Sequence, residues 1–326
     1  MPDPDPVHPD VIEFSPATAE PSVPPAHPVR NRLLIAGAAA VVVIIAAVVV
    51  FAGIRPGSTS PGSGAAGHVN PALARLIAQV TGVPVSVSDA AGDGGGQVGT
   101  TPARVSGTGS PLTANGKPEV FYVGEQFCPY CATQSWAMIV ALSRFGTFTG
   151  LSTIRSARYQ SYPALATWTF YGSAYTSKYL AFVPVETRSN VLVSRTASPQ
   201  SGSSYTRLQK LTAAQQAIFS KYDTLSAAPF LDFGNRYVLV GSSFLPTVLE
   251  HQTWDQVAAA LRNPRRGTGQ AILGTANYLT AAICALTGDQ PATACTPAVR
   301  SLLGRENSGI PNLGAFSVWP TGAAAP

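Results

Sequence analysis

Histidine is nearly missing from this chain: His8, His27, His68 and His251 are the whole supply in 326 residues. No Ser/His/Asp arrangement can be built from the two that follow the apolar run described below, and no paired carboxylates stand at catalytic spacing. Charged residues are sparse at 11%, and lysine is confined to Lys117, Lys178, Lys210 and Lys221. With no dense basic run and no interleaved aromatics, the chain offers nucleic acid no footprint. The glycine-rich stretch Gly92 to Gly99 lacks both the GK[ST] ending and the strand and helix that would flank a phosphate loop, so it reads as a plain loop. Cysteine is equally scarce, with only Cys128, Cys131, Cys284 and Cys295. The gap between Cys284 and Cys295 suits a zinc ribbon poorly, and histidine ligands are few, so a structural disulfide is the favoured reading and no metal is expected.

What is present stands out against that background. Cys128-Pro129-Tyr130-Cys131 follows the apolar run Glu119 to Gly124 and opens a segment with helical spacing through Phe145. Two cysteines separated by two residues at a strand-to-helix junction form a redox pair. Backbone N–H groups and the helix dipole favour a thiolate at the first position, and the thiolate is the species that attacks disulfides. Cys128 is therefore expected to be the exposed attacking thiolate and Cys131 the buried resolving thiol. Pro129 stiffens the helix entry and Tyr130 tunes access and potential. The competing reading, a permanent Cys128–Cys131 disulfide closing a turn, is weakened because so short a loop is an inefficient staple.

Leu33 to Ile54 carries no charge and is long enough to cross a bilayer, and no convincing cleavage site follows it. Arg30 and Arg32 before it, against Arg55 alone after it, place the N-terminus in the cytoplasm and the rest outside. Residues 1–32 are proline-rich and expected to be disordered, and 55–69 form a Gly/Ser/Pro linker. An N-terminal extension spans 70–116, the main domain 117–303 and a C-terminal tail 304–326. The tail before the apolar run is net −3 and the whole chain +5, which leaves +8 beyond it, a dispersed surplus that would favour anionic lipid or envelope polymers.

Local patterning predicts a helix over Pro71–Thr81 capped by Asn70, a strand over Glu119–Gly124, and a helix over Ala132–Phe145 ending at a left-handed Gly146. Trp136, Met138 and Leu142 on that helix read as core. Strands follow at Leu151–Ala157, and at Thr167–Tyr171 and Tyr179–Val185 as a hairpin joined by a polar turn around Ser173 to Lys178. A helix is expected over Leu208–Leu225, then strands at Phe230–Phe233 and Tyr237–Val240 about a Gly234-Asn235 turn. Helices starting at Thr253 and covering Gln270–Leu286 complete the pattern, with Cys284 and Cys295 stapling the end of the last one.

This order, strand, CxxC, helix, strand, helix, proline-led hairpin and helix, resembles the thioredoxin arrangement, and so implies an α/β, thioredoxin-like fold with an inserted hairpin and helical region behind one transmembrane helix. In that arrangement a cis proline starts the strand facing the cysteine pair, and Ala228-Pro229-Phe230 looks like that element. More closely, Gly116-Lys117-Pro118-Glu119, Cys128-Pro129-Tyr130-Cys131-Ala132 and Ala141-Leu142-Ser143-Arg144-Phe145-Gly146 resemble the domain-of-unknown-function family 929, over about Asn70 to Leu303. Two departures from thioredoxins matter. Tyr122 stands where they place a buried acid, with Glu125 nearer the motif, and about a hundred residues separate Cys131 from Pro229. The cysteine pair, the apolar run and the thioredoxin-like resemblance together lead to the expectation of a membrane-tethered thiol–disulfide oxidoreductase that needs no cofactor. It would act on exported cysteine-containing proteins and be served by a membrane redox partner. A binding or assembly module that retains the fold without turnover is the alternative. Peroxide reduction is disfavoured because no Thr-x-x-Cys context precedes Cys128.

Overall fold

The computed structural model describes residues 70–106, 109–223 and 228–305. The proline-rich tail, the apolar run 33–54 and the linker lie outside the described residues. Among the described residues no helix is long and apolar enough to cross a membrane.

The first two helices are α1 (Pro71–Thr81) and α2 (Val85–Asp89). As the sequence predicts, Asn70 caps α1, its side chain accepting the Ala72 N–H at 2.9 Å. Short strands β1 (Ala103–Arg104) and β2 (Thr113–Ala114) lead into β3 (Lys117–Gly124), the central strand, and α3 (Pro129–Leu142) follows it. Four strands come next: β4 (Gly146–Thr149), β5 (Ser152–Arg155), β6 (Ala166–Thr169) and β7 (Ala174–Ser177). Then come β8 (Ala181–Glu186), β9 (Arg188–Leu192), β10 (Tyr205–Arg207) and α4 (Ala213–Tyr222). The chain continues through β11 (Phe230–Phe233), β12 (Tyr237–Val240), α5 (Trp254–Ala260), α6 (Gly267–Thr287) and α7 (Pro297–Arg305).

The result is a mixed α/β fold on a mixed sheet. β8 runs parallel to β3, β11 is antiparallel to β3 on its other side, and β12 and β1 extend the sheet antiparallel beyond β11. Alternation along β3 sorts its side chains between two layers. Val120 and Tyr122 join the larger core under α3 and α6, while Phe121 and Val123 meet Val185, Phe219, Phe230 and Val238 on the α4 side. At the β11–β12 turn Gly234 and Asn235 take φ of 63° and 57° and the Arg236 N–H donates to the Phe233 carbonyl at 2.9 Å, but Phe233 pairs with Tyr237, so the connection is three residues long rather than two.

Three local expectations are corrected. Thr167–Tyr171 and Tyr179–Val185 do not pair as a hairpin: β6 pairs antiparallel with β5, and β8 joins the central sheet beside β3. The supposed polar turn is strand β7, paired with β4 outside the β5–β6 hairpin. Both runs share one apolar alternation, so local pattern cannot choose their partners, and the long-range ladder to β3 decides. Gly146 begins β4 rather than capping α3, and a Cβ there would lie 2.3 Å from the Thr176 carbonyl oxygen, so close strand approach explains the glycine. α4 starts at Ala213 rather than Leu208 because Thr212 and Gln215 form a capping box.

One buried acid in the sheet has a measurable consequence. Asp232 on β11 is fully buried; its Oδ1 accepts the Asn235 N–H at 2.6 Å, and among the described residues its Oδ2 has no hydrogen-bond partner. Burial lifts its carboxyl to about 6, against the opposing pull of the Asn235 N–H and Lys221. Folded chains thus keep this proton while unfolded ones release it, and stability falls as pH climbs from about 4 to about 6. Asp232→Asn is expected to flatten that slope and to add up to about 3 kcal/mol at pH 7, read from urea midpoints at pH 4.5 and pH 7.

Candidate functional site around the cysteine pair

β3 ends at Gly124, the chain turns through Glu125 to Phe127, and Cys128 becomes the N-cap of α3 with Pro129 in its first turn. Proline suits that position because its missing N–H would have no intrahelical partner. The Cys131 N–H donates to the Cys128 sulfur at 3.4 Å, so the thiol takes the place of an ordinary capping oxygen. On its other side the Cys128 thiol donates to the Ala228 carbonyl at 3.6 Å. The Ala228–Pro229 bond is cis and opens β11 directly opposite the pair. The fold therefore brings Cys128, Cys131 and the Ala228–Pro229 bond into one place. Both cysteines are free thiols.

Exposure differs from expectation. Cys128 is 5% exposed and Cys131 4%, so neither sulfur stands open to solvent. Phe127, Tyr205 and the partly buried Tyr130, Tyr159, Leu192 and Ala228 enclose them. The covering residues Tyr159, Leu192 and Tyr205 come from the turn after β5 and from the β9–β10 hairpin, segments the sequence reading left without a role. Their signal in the sequence was faint: isolated tyrosines in polar surroundings, Tyr159-Gln160-Ser161-Tyr162 and Ser203-Ser204-Tyr205. Tyr130 packs edge-on to Tyr162 with ring centroids 5.6 Å apart, and its hydroxyl meets that of Tyr162 at 3.4 Å.

Below the pair the electrostatics favour protonated groups. Burial, followed by Cys128, pushes the Cys131 thiol well above its usual range, although the Glu125 N–H donates to its sulfur at 3.4 Å. Tyr122, where an acid would stand in a thioredoxin, is buried, and burial followed by Cys131 raises its phenol well above the ordinary value. It stays a hydrogen-bond donor across the physiological range. Burial also raises Glu125, whose carboxylate accepts the Thr187 hydroxyl at 3.0 Å and lies 3.9 Å from the Arg188 guanidinium. Glu186, at the end of β8, is a buried acid the sequence reading missed. It accepts from Gln126 Nε2 at 3.0 Å, Thr169 Oγ1 at 2.5 Å and the Phe170 N–H at 2.8 Å, tying the cysteine loop to β6.

A family described as Domain of unknown function (DUF929) matches residues 103–285, more than half of the chain. The chain belongs to the DUF929 family. No curated protein and no solved structure matches it. Within this DUF929 member the matched span holds Cys128, Cys131, Pro229 and Cys284 and stops short of Cys295. Cys284 and Cys295 form a disulfide with Cα atoms 5.7 Å apart, joining the last turn of α6 to the residues that lead into α7. Asp289 lies close to both sulfurs, but with these bonded to each other the trio offers a metal only a carboxylate.

Proposed function

We propose that this DUF929 protein is a thioredoxin-like, extracytoplasmic thiol–disulfide exchanger, tethered by its own apolar segment and acting on exported cysteine-containing proteins. The observation that carries the reading is the Cys128 sulfur at the head of α3, 3.6 Å from the Ala228 carbonyl beside a cis Pro229. Support for the thioredoxin-like part comes from the strand order β8, β3, β11, β12, in which only the first two are parallel, with α3 and α6 on one face and α4 on the other.

In the reducing direction, the Cys128 thiolate attacks a partner disulfide. A Cys128–partner bond forms, the partner S–S bond breaks, and the first partner sulfur leaves as a thiolate. Cys131 then passes its proton to the first released partner thiolate and attacks the Cys128 sulfur, releasing the second partner sulfur as a thiolate. Two electrons have passed to the partner, and Cys128–Cys131 has become a disulfide. The reverse sequence oxidises a partner dithiol. No bound cofactor enters either direction, and a membrane redox partner would reset the pair.

Cys131→Ser is expected to leave partners trapped on Cys128 as mixed disulfides, seen as reductant-sensitive bands on non-reducing gels of the cell envelope, whereas Cys128→Ser traps none. An envelope free of such adducts in the Cys131→Ser strain would sink the exchange reading. Burial of Cys128 and the phenol at Tyr122 favour a second reading, a binding or assembly module without turnover. That module would yield no adduct and would retain its partners in both variants.

A further inference from the structure

The cover over Cys128 is built differently from the core beneath it. β9 and β10 form a two-stranded sheet separate from the central one, with a register break between Tyr205 and Arg207. A ribbon of this size has little stability of its own. Its roots are held by backbone bonds, Gln126 N–H to the Arg188 carbonyl at 2.9 Å and Leu208 N–H to the Thr187 carbonyl at 3.0 Å. Further along the ribbon, Asn190 Nδ2 donates to the Arg155 carbonyl at 2.8 Å and Gln200 Oε1 accepts the Gln160 N–H at 2.6 Å, and aromatic contacts join these two bonds. Tyr205 is 1% exposed and lies flat on Phe127, the residue before Cys128, with ring centroids 4.3 Å apart and planes within 1° of parallel. Tyr159 meets Phe127 edge-on at 5.2 Å. Flap and ring are in close approach at Gly202 as well, where a Cβ would lie 2.9 Å from Phe127 Cζ. Nearby on the same ribbon, Val191 and Val193 are 60% and 62% exposed.

A sulfur buried in this way reacts with a macromolecule only if something moves, and neither β9 nor β10 pairs with a strand of the central sheet. We propose that the β9–β10 hairpin is a lid over Cys128, pinned by Tyr205 on Phe127, and that the polypeptide displacing it carries an aromatic side chain beside its cysteine. This rests on the exchange reading above and names the partner that site selects. When the lid lifts, the flat face of Phe127 loses the ring that covers it, with the Tyr159 edge still at its side. An aromatic flank on the incoming chain restores the stacking that Tyr205 gives up. An aliphatic or glycine flank does not. Tyr205 thus acts as a built-in stand-in for the partner, holding the site shut until a better-matched chain arrives.

The test uses the full chain, reduced, with iodoacetamide as the probe of Cys128. Tyr205→Ala removes the pin, and Gly202→Ala pushes the flap off Phe127 while keeping every aromatic ring. Both are expected to raise the Cys128 alkylation rate at least ~10-fold over wild type, by enlarging an open state that is otherwise a minor population. Tyr171→Ala, at an exposed tyrosine away from the lid, should leave the rate unchanged, and circular dichroism checks that each variant is folded. Equal rates in wild type and both lid variants overturn the lid.

The partner half is read with two synthetic peptides bearing a glutathione-capped cysteine, one flanked by tyrosine and one by glycine, offered to Cys131→Ser protein. The tyrosine peptide is expected to form the Cys128 mixed disulfide about tenfold faster, the scale of one lost aromatic contact. Equal rates overturn the aromatic preference. Faster alkylation of the lid variants with no adduct from either peptide would keep the lid but refute both the exchange function and the partner. Equal alkylation with ready adducts from both peptides would keep the exchange function and refute this inference.

Discussion

Trp136→Ala is expected to lower the stability of the domain by about 4 kcal/mol, within the range for deleting a large buried aromatic. Trp136 is fully buried in the middle of α3, where its ring meets the edge of Trp168 at 5.3 Å. Its indole N–H donates to the Ala166 carbonyl at 3.0 Å, so the substitution leaves a cavity and strips a partner from a buried acceptor. The position also bears on the site, because Trp136 fastens to β6 the same helix that presents both cysteines. Urea unfolding reads the stability loss. Below the unfolding midpoint, alkylation of Cys131 should rise with it, since a helix released from β6 no longer holds that sulfur away from solvent. Trp136→Phe should recover part of the loss by filling most of the space without the N–H.

The parts of the fold legible in the sequence are those whose signals are local. Asn70 before Pro71, Thr253 three residues before Gln256, and Gly234-Asn235 between two apolar strands each specify a cap or a turn through atoms within a few residues, and each occurs where expected. The order of strands around β3 is another matter. β8 and the β6 segment are both short apolar runs, and only the ladder between Glu119 and Ala181 through Gly124 and Glu186 separates them. Such a pairing depends on residues some sixty positions apart, and no local rule encodes it. Arg144 shows the same limit. In the sequence it is one basic residue at a helix end. In the fold it is half-buried and donates to Asn277 Oδ1 at 3.1 Å, to Thr280 Oγ1 at 2.9 Å and to the Ser88 hydroxyl, binding α2 and α6 to the end of α3.

The site divides along the same line. A CxxC pair announces itself because its chemistry needs both sulfurs within one helical turn, and a proline heading a later strand is also visible. The lid is not. Tyr159, Leu192 and Tyr205 reach the cysteines by tertiary folding from separate segments, and nothing in their own surroundings marks them as neighbours of a thiol. Expecting Cys128 to be exposed treated the motif as though the residues between Cys131 and Pro229 were distant, whereas part of that stretch folds back over the sulfur.

Glu186 joins the fold to the site, and its removal gives the second large effect. Three donors converge on its carboxylate: Gln126 from the cysteine loop, Thr169 at the end of β6 and the backbone N–H of Phe170. With the acid 4% exposed, water has little room to replace it. Glu186→Ala leaves the Thr169 hydroxyl and the Phe170 N–H without their acceptor, while Gln126 Nε2 keeps only Thr169 Oγ1 at 2.9 Å, and stability is expected to fall by about 3 kcal/mol, as for other broken buried networks. Glu186→Gln should lose less, since its amide oxygen still accepts while its NH2 faces the NH2 of Gln126. Gln126 also has its backbone N–H on the Arg188 carbonyl at the root of the β9–β10 hairpin. Loosening that loop should therefore loosen the lid. In urea below the midpoint, Glu186→Ala should show both a lower unfolding free energy and faster Cys128 alkylation, whereas Trp136→Ala exposes Cys131 first. If both variants expose the two sulfurs in the same order, the loop and the helix unfold as one unit, and Glu186 holds no separate grip on the site.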